Sequence, residues 1–249
     1  MRLLLVSDLH YRLPQLDWVA RAAVDESLAL DLIVIAGDLL DIRSAVPLHA
    51  QSVAVTAHLR SLAFRRPVIV SSGNHDLDSR DESGEKTARW LAAAKAEGLY
   101  VDGDSVAIDG ESGSVFITVC PWWDGPIGRA TLARQLARDA HHRQGRWLWV
   151  YHSPPTGSPL SWDGRREFGD DALAGWIPRY QPDVVLAGHI HQAPFVEGGG
   201  WAQQIGRTWI FNPGHQPGPV PTHVVIDLDA GTAEWASATE RGEVALSAP

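Results

Sequence analysis

Cysteine and long apolar runs are both scarce in this chain of 249 residues. The one cysteine, Cys120, cannot form an internal disulfide bond, which fits a reducing compartment. It follows an apolar stretch at residues 115–119, so we expect a buried strand residue rather than a nucleophile or metal ligand. No run approaches the roughly 20 apolar residues of a membrane span, and Asp8 and His10 interrupt the apolar amino terminus before a signal-peptide core is complete. These absences predict a soluble, cytoplasmic protein with no membrane partner.

Positive charge is also in short supply, because the formal net charge is −9. Proteins that bind nucleic-acid backbones use Lys and Arg to neutralise phosphates, so a nucleic-acid partner is disfavoured. A small phosphate-ester substrate is compatible with the charge, since bound dications would supply the positive charge that the side chains lack. The sequence leaves the oligomeric state open.

Five short polar clusters are present, each directly after an apolar run. They are Asp8-Leu9-His10, Gly37-Asp38, Gly73-Asn74-His75-Asp76, Tyr151-His152 and Gly188-His189-Ile190-His191. The preceding runs are short and mostly β-branched or bulky, which is typical of buried strands. Side chains just past the carboxyl end of such strands lie at the sheet edge where open α/β sheets bind ligands. We therefore expect the five clusters to meet at one site.

Helical segments separate the apolar runs, as in α/β proteins with parallel strands. The candidate helices cover residues 14–30, 47–63, 87–97, 130–142 and 170–177. Later strand candidates follow one another with less helix between them, which predicts a second sheet packed against the first. Because the clusters extend from Asp8 to His191 without a linker, we predict a single domain over residues 1–249, with a loosely ordered tail from 236 to 249.

The clusters offer a mixed set of oxygen and nitrogen ligands. Two carboxylates, one Asn and four His without sulfur favour manganese, iron, zinc or nickel over calcium, magnesium or copper(I). A lone His is more often a surface or core residue than a ligand, and a lone Asp after a strand is usually a helix cap. The joint occurrence of five clusters, each at a strand end, outweighs those interpretations.

The ordered series of clusters resembles the motifs of the calcineurin-like metallophosphoesterases. The residues that carry the resemblance are Asp8-x-His10, Gly37-Asp38-x-x-Asp41, Gly73-Asn74-His75-Asp76, His152 and Gly188-His189-x-His191. The resemblance implies a four-layer α/β/β/α sandwich, in which two mixed β-sheets are flanked by helices, with a binuclear metal centre at the strand ends. The two divalent ions would be manganese or iron, with zinc and nickel as further options.

The resemblance also implies a role for each motif residue. Seven residues would bind the metals: Asp8, His10 and His191 the first ion, Asn74, His152 and His189 the second, and Asp38 both. His75 would face the phosphate as a catalytic hydrogen-bond donor or acid, and Asp76 would orient its ring. Asp41 is either a supporting residue behind the site or a plain loop residue.

Hydrolysis of phosphate esters, by a hydroxide held between the two metals, is the reaction that the resemblance implies. Counting Asp8 and Asp38 as the anionic ligands leaves a charge that suits either a phosphodiester or a phosphomonoester. The substrate would be a small organic or nucleotide ester. A nuclease with the same core is one alternative, and a binding module that keeps the fold without catalysis is the other.

Substrate specificity is expected in the loops around the metal site. Trp122 and Trp123 follow a strand in a turn-rich loop, where one ring could stack on a nucleobase or aryl group, or both could pack the loop against the core. Arg12 is a candidate for binding phosphate oxygens, with a solvated surface role as its alternative. His215, directly after Gly214, is a candidate for reaching the site, with a surface role as its alternative.

Overall fold

Alternate side chains of the central strands face opposite sides of a sheet, and both sides are buried. In β1 (Arg2–Val6), Leu4 and Val6 pack into one apolar core, whereas Leu3 and Leu5 pack into another. A strand produces this period of two, and burial on both faces explains why such runs are apolar throughout. The computed structural model describes residues 1–110 and 113–246.

Fifteen strands and five α-helices are formed by the described residues. After β1, the strands are β2 Leu32–Ala36, β3 Val68–Ser71, β4 Ser79–Arg80, β5 Lys86–Thr87, β6 Leu99–Tyr100, β7 Ser105–Gly110, β8 Gly113–Val119, β9 Arg146–Val150, β10 Val184–Leu186, β11 Ala202–Ile205, β12 Thr208–Phe211, β13 His223–Asp227, β14 Thr232–Ala236 and β15 Arg241–Ala245. The helices are α1 Leu13–Ala22, α2 Leu48–Ala63, α3 Arg89–Ala94, α4 Pro126–His142 and α5 Asp171–Tyr180. Short 3-10 turns lie at Glu26–Leu28, Pro159–Ser161 and Ala193–Phe195.

Two mixed sheets contain thirteen of these strands. The first has the order β15-β14-β13-β1-β2-β3-β6, and the second has the order β11-β12-β10-β9-β8-β7. In the first sheet β1, β2, β3 and β6 are parallel, and the three strands on the other side of β1 pair antiparallel. In the second sheet β8, β9, β10 and β12 are parallel, with β7 and β11 antiparallel at the two edges. The parallel strands of each sheet therefore end at one common edge.

Three apolar cores hold the layers together. The central core lies between the two sheets and includes Leu3 and Leu5 of β1 with Leu148 and Val150 of β9. A second core joins the first sheet to α1, α2 and α3, and a third joins the second sheet to α4 and α5. The four-layer α/β/β/α sandwich that the sequence predicted is thus confirmed. Among the described residues, no helix is long and apolar enough to cross a membrane.

The chain after Ala236 differs from the loosely ordered tail expected there. Arg241–Ala245 forms β15, which pairs antiparallel with β14 at the edge of the first sheet. Val244 packs against the central core from this strand. Every second residue of β15 is exposed, as suits an edge strand. The strand therefore has no apolar run that would have predicted it from the sequence. Residues 247–249 of the expected tail lie outside the described residues.

The first helix also ends earlier than its periodicity predicted. It ends at Ala22 instead of continuing to Leu30, and the 3-10 turn Glu26–Leu28 follows. The Asp25 carboxylate accepts hydrogen bonds from the backbone N–H and the hydroxyl of Ser27. Such local side-chain bonds compete with the helical pattern, which explains the early end.

Candidate metal centre

The five polar clusters meet where the parallel strands of both sheets end. Asp8 follows β1, Asp38 follows β2 and His152 follows β9. His152 connects the sheets, because its Nδ1 lies 2.6 Å from the carbonyl oxygen of Ala36, the last residue of β2. The backbone N–H of Asp8 donates to the Gly37 carbonyl at 3.0 Å. These bonds fix the clusters from separate strands relative to one another.

The backbone at the site is strained. Asp8, His10, Asp38 and His189 all have positive φ angles, of 55°, 43°, 54° and 71°. Residues other than glycine adopt this left-handed region at an energetic cost, which tends to be stored at functional sites. Four of the seven expected metal ligands therefore have a backbone conformation that the surrounding fold imposes.

One group of ligands contains Asp8, His10 and His191. The Nε2 atom of His191 lies 3.2 Å from Asp8 Oδ1 and 3.0 Å from His10 Nε2. His10 Nε2 is in turn 3.9 Å from Asp8 Oδ1. The three ligand atoms lie within 4.8 Å of one another, a spacing suited to one metal ion. The structure thus brings together the three residues expected to bind the first ion.

A second group contains Asp38, His152 and His189, whose ligand atoms also lie within 4.8 Å of one another. Two buried polar atoms here have no hydrogen-bond partner: Asn74 Oδ1 and His152 Nε2. Buried polar groups are normally paired, and an unpaired one often marks a missing ion. Because the Nδ1 atom of His152 faces a carbonyl oxygen, its neutral ring would present a bare Nε2 to a cation. This donor set fits a divalent metal.

Asp38 lies between the two groups. Its Oδ2 atom is 3.9 Å from His10 Nε2 in the first group and 3.4 Å from His152 Nε2 in the second. Its Oδ1 atom accepts a hydrogen bond from the backbone N–H of His75 at 2.8 Å. One carboxylate therefore faces both groups and anchors the loop that carries His75.

The electrostatics of the site suit bound cations. Burial alone would raise the pKa of Asp8, but a hydrogen bond with His191 and the surrounding imidazole charges hold it well below its usual range. Burial opposes a charge on His152, yet the nearby Asp38 carboxylate raises its pKa to about 9. Burial lowers the pKa of His189 to about 4. Two buried carboxylates thus stay ionised, and the protein compensates them with imidazolium charge where cations would otherwise bind.

Glycines allow the clusters to approach so closely. A Cβ atom on Gly73 would lie 2.2 Å from Asp38 Oδ1 and 2.7 Å from His152 Nε2. A Cβ atom on Gly188 would lie 2.6 Å from Asp8 Oδ2. Both distances to carboxylate oxygens are shorter than any side chain tolerates, so these positions require glycine for steric reasons alone.

His75 lies at the site, but Asp76 does not orient its ring. The His75 ring centroid is 4.6 Å from that of His10, and its Nδ1 atom is buried without a hydrogen-bond partner. The Asp76 carboxylate is fully buried and accepts backbone N–H bonds from Leu39, Leu40 and Gly73 at 2.8–3.0 Å. The expected catalytic pairing of Asp76 with His75 is therefore wrong. Asp76 instead ties together the loops that follow β2 and β3.

The substrate-binding candidates lie at different distances from the site. The Trp122 ring centroid is 5.6 Å from that of His152 and 5.3 Å from that of His189. His215 is also close, since its ring lies 4.9 Å from that of His191, and burial lowers its pKa to about 4. The structure brings both of these side chains to the metal ligands.

Trp123, Arg12 and Asp41 are placed differently. Trp123 donates its indole N–H to the Tyr151 hydroxyl at 2.8 Å and packs against the core under α4 and α5. Arg12 is exposed at the start of α1, where its carbonyl accepts the first N–H groups of the helix. Asp41 accepts an N–H bond from Arg43 in its own loop, which supports the plain loop role for its side chain.

Sequence reasoning missed Phe168, which lines a cavity beside His152 and His189. Phe168 lies in a polar, glycine-rich segment before α5, and no pattern in that segment points to the site. Only the folded chain brings this loop next to Trp122.

Two adjoining groups of carboxylate, imidazole and amide ligands, joined by one aspartate at the strand ends of a four-layer sandwich, define a candidate two-metal site. The family model for calcineurin-like phosphoesterases matches residues 1–193. The chain belongs to this family.

Solved structures share the fold at low sequence identity. The protein TT1561 of Thermus thermophilus is 17% identical, with a TM-score of 0.62 and 98% of each chain covered. GAP50, described as the anchor in the inner membrane complex of Plasmodium, is 10% identical with a TM-score of 0.58, covering 100% of this chain and 89% of its own. A comparison with curated proteins found no match.

Proposed function

We propose that the protein hydrolyses small phosphate esters, diesters or monoesters, with the help of two divalent metal ions. The observation that carries this proposal is the position of Asp38. Its Oδ2 atom faces both His10 in the first ligand group and His152 in the second. A shared carboxylate between two ligand groups suits a pair of adjacent ions. Membership of a phosphoesterase family supports the same reaction.

Seven residues would hold the metals, with Asp8, His10 and His191 around one ion, Asn74, His152 and His189 around the other, and Asp38 in contact with both. Nitrogen-rich ligands without sulfur favour manganese or iron, with zinc and nickel also compatible. Bound dications would offset the phosphate charge and lower the pKa of coordinated water toward neutrality.

His75 is the proposed proton donor to the leaving oxygen. Its backbone N–H is held by Asp38 Oδ1 at 2.8 Å, so its position is fixed relative to the shared carboxylate. Its ring lies beside His10, and its Nδ1 atom has no partner within the protein. His75 is half-buried, so part of its ring is open to exchange a proton with a substrate oxygen.

The first experiment is metal analysis of the purified protein, followed by assays on phosphodiesters and phosphomonoesters with added manganese or iron. Asp38→Asn should lose both metal and activity, because it removes the charge that the two groups share. His75→Ala should reduce turnover by about 100-fold or more while metal content stays at the wild-type level. His49→Ala, an exposed histidine on α2, is the matched control and should change neither.

Other results would overturn the proposal. Full turnover in His75→Ala would remove its role as the acid, and two tightly bound metals in Asp38→Asn would contradict the shared ligand. Hydrolysis confined to DNA or RNA would identify a nuclease. A metal-loaded protein that hydrolyses no ester would instead identify a binding module.

The single buried cysteine supports a cytoplasmic location as part of this proposal.

A further inference from the structure

A cavity of about 550 Å³ opens directly beside the second ligand group. His152 and His189 belong to its lining, together with the loop after β8 and the segment before α5. Cavities of roughly 300–1,000 Å³ are the size that binds small organic molecules. A phosphate held at the second ligand group would have this cavity next to it for its organic substituent.

Aromatic side chains line two sides of the cavity. Trp122 lines the cavity together with the two histidines, and its ring contacts those of both His152 and His189. Phe168 lines the cavity from the other segment and is 43% exposed, so part of its ring is open to a ligand. Flat aromatic surfaces of this kind bind planar rings by stacking.

The two tryptophans of the loop are held by different hydrogen bonds. The indole N–H of Trp123 donates to the Tyr151 hydroxyl, which donates in turn to Asp170 at 2.5 Å. This chain of bonds makes Trp123 part of the rigid wall. Trp122 is held instead through its backbone N–H, which donates to Ser72 at 3.0 Å, and its ring remains half-buried. Trp122 is thus positioned in advance, which reduces the entropic cost of binding a ring.

The charged side chains of the cavity favour an uncharged group over a second phosphate as its occupant. Its lining contains one guanidinium, Arg129, and three carboxylates: Glu167, Asp170 and Asp171. An anion would be repelled by this balance, whereas an uncharged ring would not. The phosphate of an ester therefore belongs at the metal ligands, and its uncharged part belongs in the cavity.

We infer that this cavity binds an aromatic ring carried by the phosphate ester, with Trp122 and Phe168 as the residues that select it. The substrate class is then an aryl or nucleoside ester rather than an aliphatic one. This inference rests on the proposed function only in placing the phosphate at the metals.

The test measures binding without turnover, using phosphonates whose carbon–phosphorus bond the protein cannot hydrolyse. Phenylphosphonate and an adenine-bearing acyclic phosphonate are compared with methylphosphonate by calorimetry on manganese-loaded protein. Stacking on aromatic side chains predicts that a ring-bearing probe binds about tenfold tighter than methylphosphonate. The tighter of the two ring-bearing probes identifies the aryl or the nucleoside source.

Variants locate the effect. Trp122→Leu should bring the ratio of ring-bearing to methylphosphonate affinity close to one, and Trp122→Phe should restore part of that ratio. Phe168→Ala, which lies away from the metal ligands, should weaken ring binding by about threefold or more. The matched control is Phe64→Ala, which removes a 92% exposed ring outside the cavity and should change nothing.

Equal affinity for all three phosphonates would overturn the inference, as would an equal loss for all three in both Trp122→Leu and Phe168→Ala. Ester hydrolysis without any ring preference would refute the role of the cavity and leave the proposed function standing. Ring-selective binding without hydrolysis of any ester would refute the proposed function and leave the cavity assignment standing.

Discussion

Replacing Gly73 by alanine tests whether close backbone approach builds the metal site. A Cβ atom at this position would lie 2.2 Å from Asp38 Oδ1 and 2.7 Å from His152 Nε2. The backbone of Gly73 does not require a positive φ angle, so the added methyl group acts through contact alone. We expect Gly73→Ala to push apart two ligands of the second group and to leave the rest of the fold intact.

The size of the displacement follows from the distances. Real Cβ contacts shorter than 3.0 Å are essentially never found, so a contact at 2.2 Å requires Asp38 or the loop to move by about 0.8 Å. Metal-ligand distances tolerate only about 0.2 Å of change. Even residues that merely support a ligand change metal affinity by about 10–100-fold, so displacing two ligands should weaken binding of the second metal by about 100-fold or more. Overpacking should also reduce the free energy of unfolding by about 1–3 kcal/mol.

The assay is metal content after dialysis, together with urea unfolding of the metal-free protein. Gly175→Ala is the matched control, because Gly175 lies within α5 and has open space for a Cβ atom. This control should keep both metals and gain about 0.5–1 kcal/mol, as alanine does in helices. If Gly73→Ala retains two metals at wild-type affinity, the steric argument for the site is refuted.

Three further predictions concern the buried Asp76 carboxylate, the pH dependence of metal binding and the carboxyl-terminal strand. Asp76→Asn should reduce the free energy of unfolding by about 1–3 kcal/mol in urea, because an amide cannot accept all three loop N–H bonds; unchanged stability would contradict its structural role. Since the pKa of His152 is about 9 and metals bind the neutral ring, manganese affinity measured by calorimetry should rise by up to about tenfold per pH unit from pH 6 to 8; a flat profile would refute this. Ending the chain after Glu240 removes β15 and the packing of Val244, so the unfolding free energy should fall by about 1–3 kcal/mol, whereas an unchanged urea midpoint would show that the strand adds no stability.

Local sequence patterns located the cluster of candidate metal ligands because the strands that precede them are short and uniformly apolar. The end of such a strand is visible in the sequence, and in a parallel sheet that end lies next to the others. Asp8 and His189 come from opposite parts of the chain, yet the backbone N–H of His189 donates to both Asp8 oxygens at 3.0 and 3.2 Å. Because Asp8 follows a strand of the first sheet and His189 a strand of the second, this meeting also depends on how the two sheets pack, which the strand pattern alone does not give.

Features that depend on a side chain's direction were beyond the sequence. Asp76 follows His75 directly, which made a pairing of the two plausible, but its carboxylate turns into the protein toward the N–H groups of Leu39, Leu40 and Gly73. A buried carboxylate is stabilised most by donors that have no other partner, and loop amides supply several at once. Chain proximity to a catalytic residue therefore says little about which group a carboxylate contacts.

The cavity beside the candidate ligands also depends on side-chain directions that the sequence does not show. Trp122 and Trp123 are adjacent in the sequence, and the Tyr151 hydroxyl, held by Asp170, distinguishes them by accepting a hydrogen bond from the indole of Trp123. That bond leaves the Trp122 ring against the ligand histidines, and Phe168 then completes the cavity from a segment that carries no motif. In the proposed function, the reaction depends on residues from short motifs, whereas the choice of substrate depends on contacts between distant loops. A change confined to Phe168 should accordingly alter which esters are bound without altering how the metals are held.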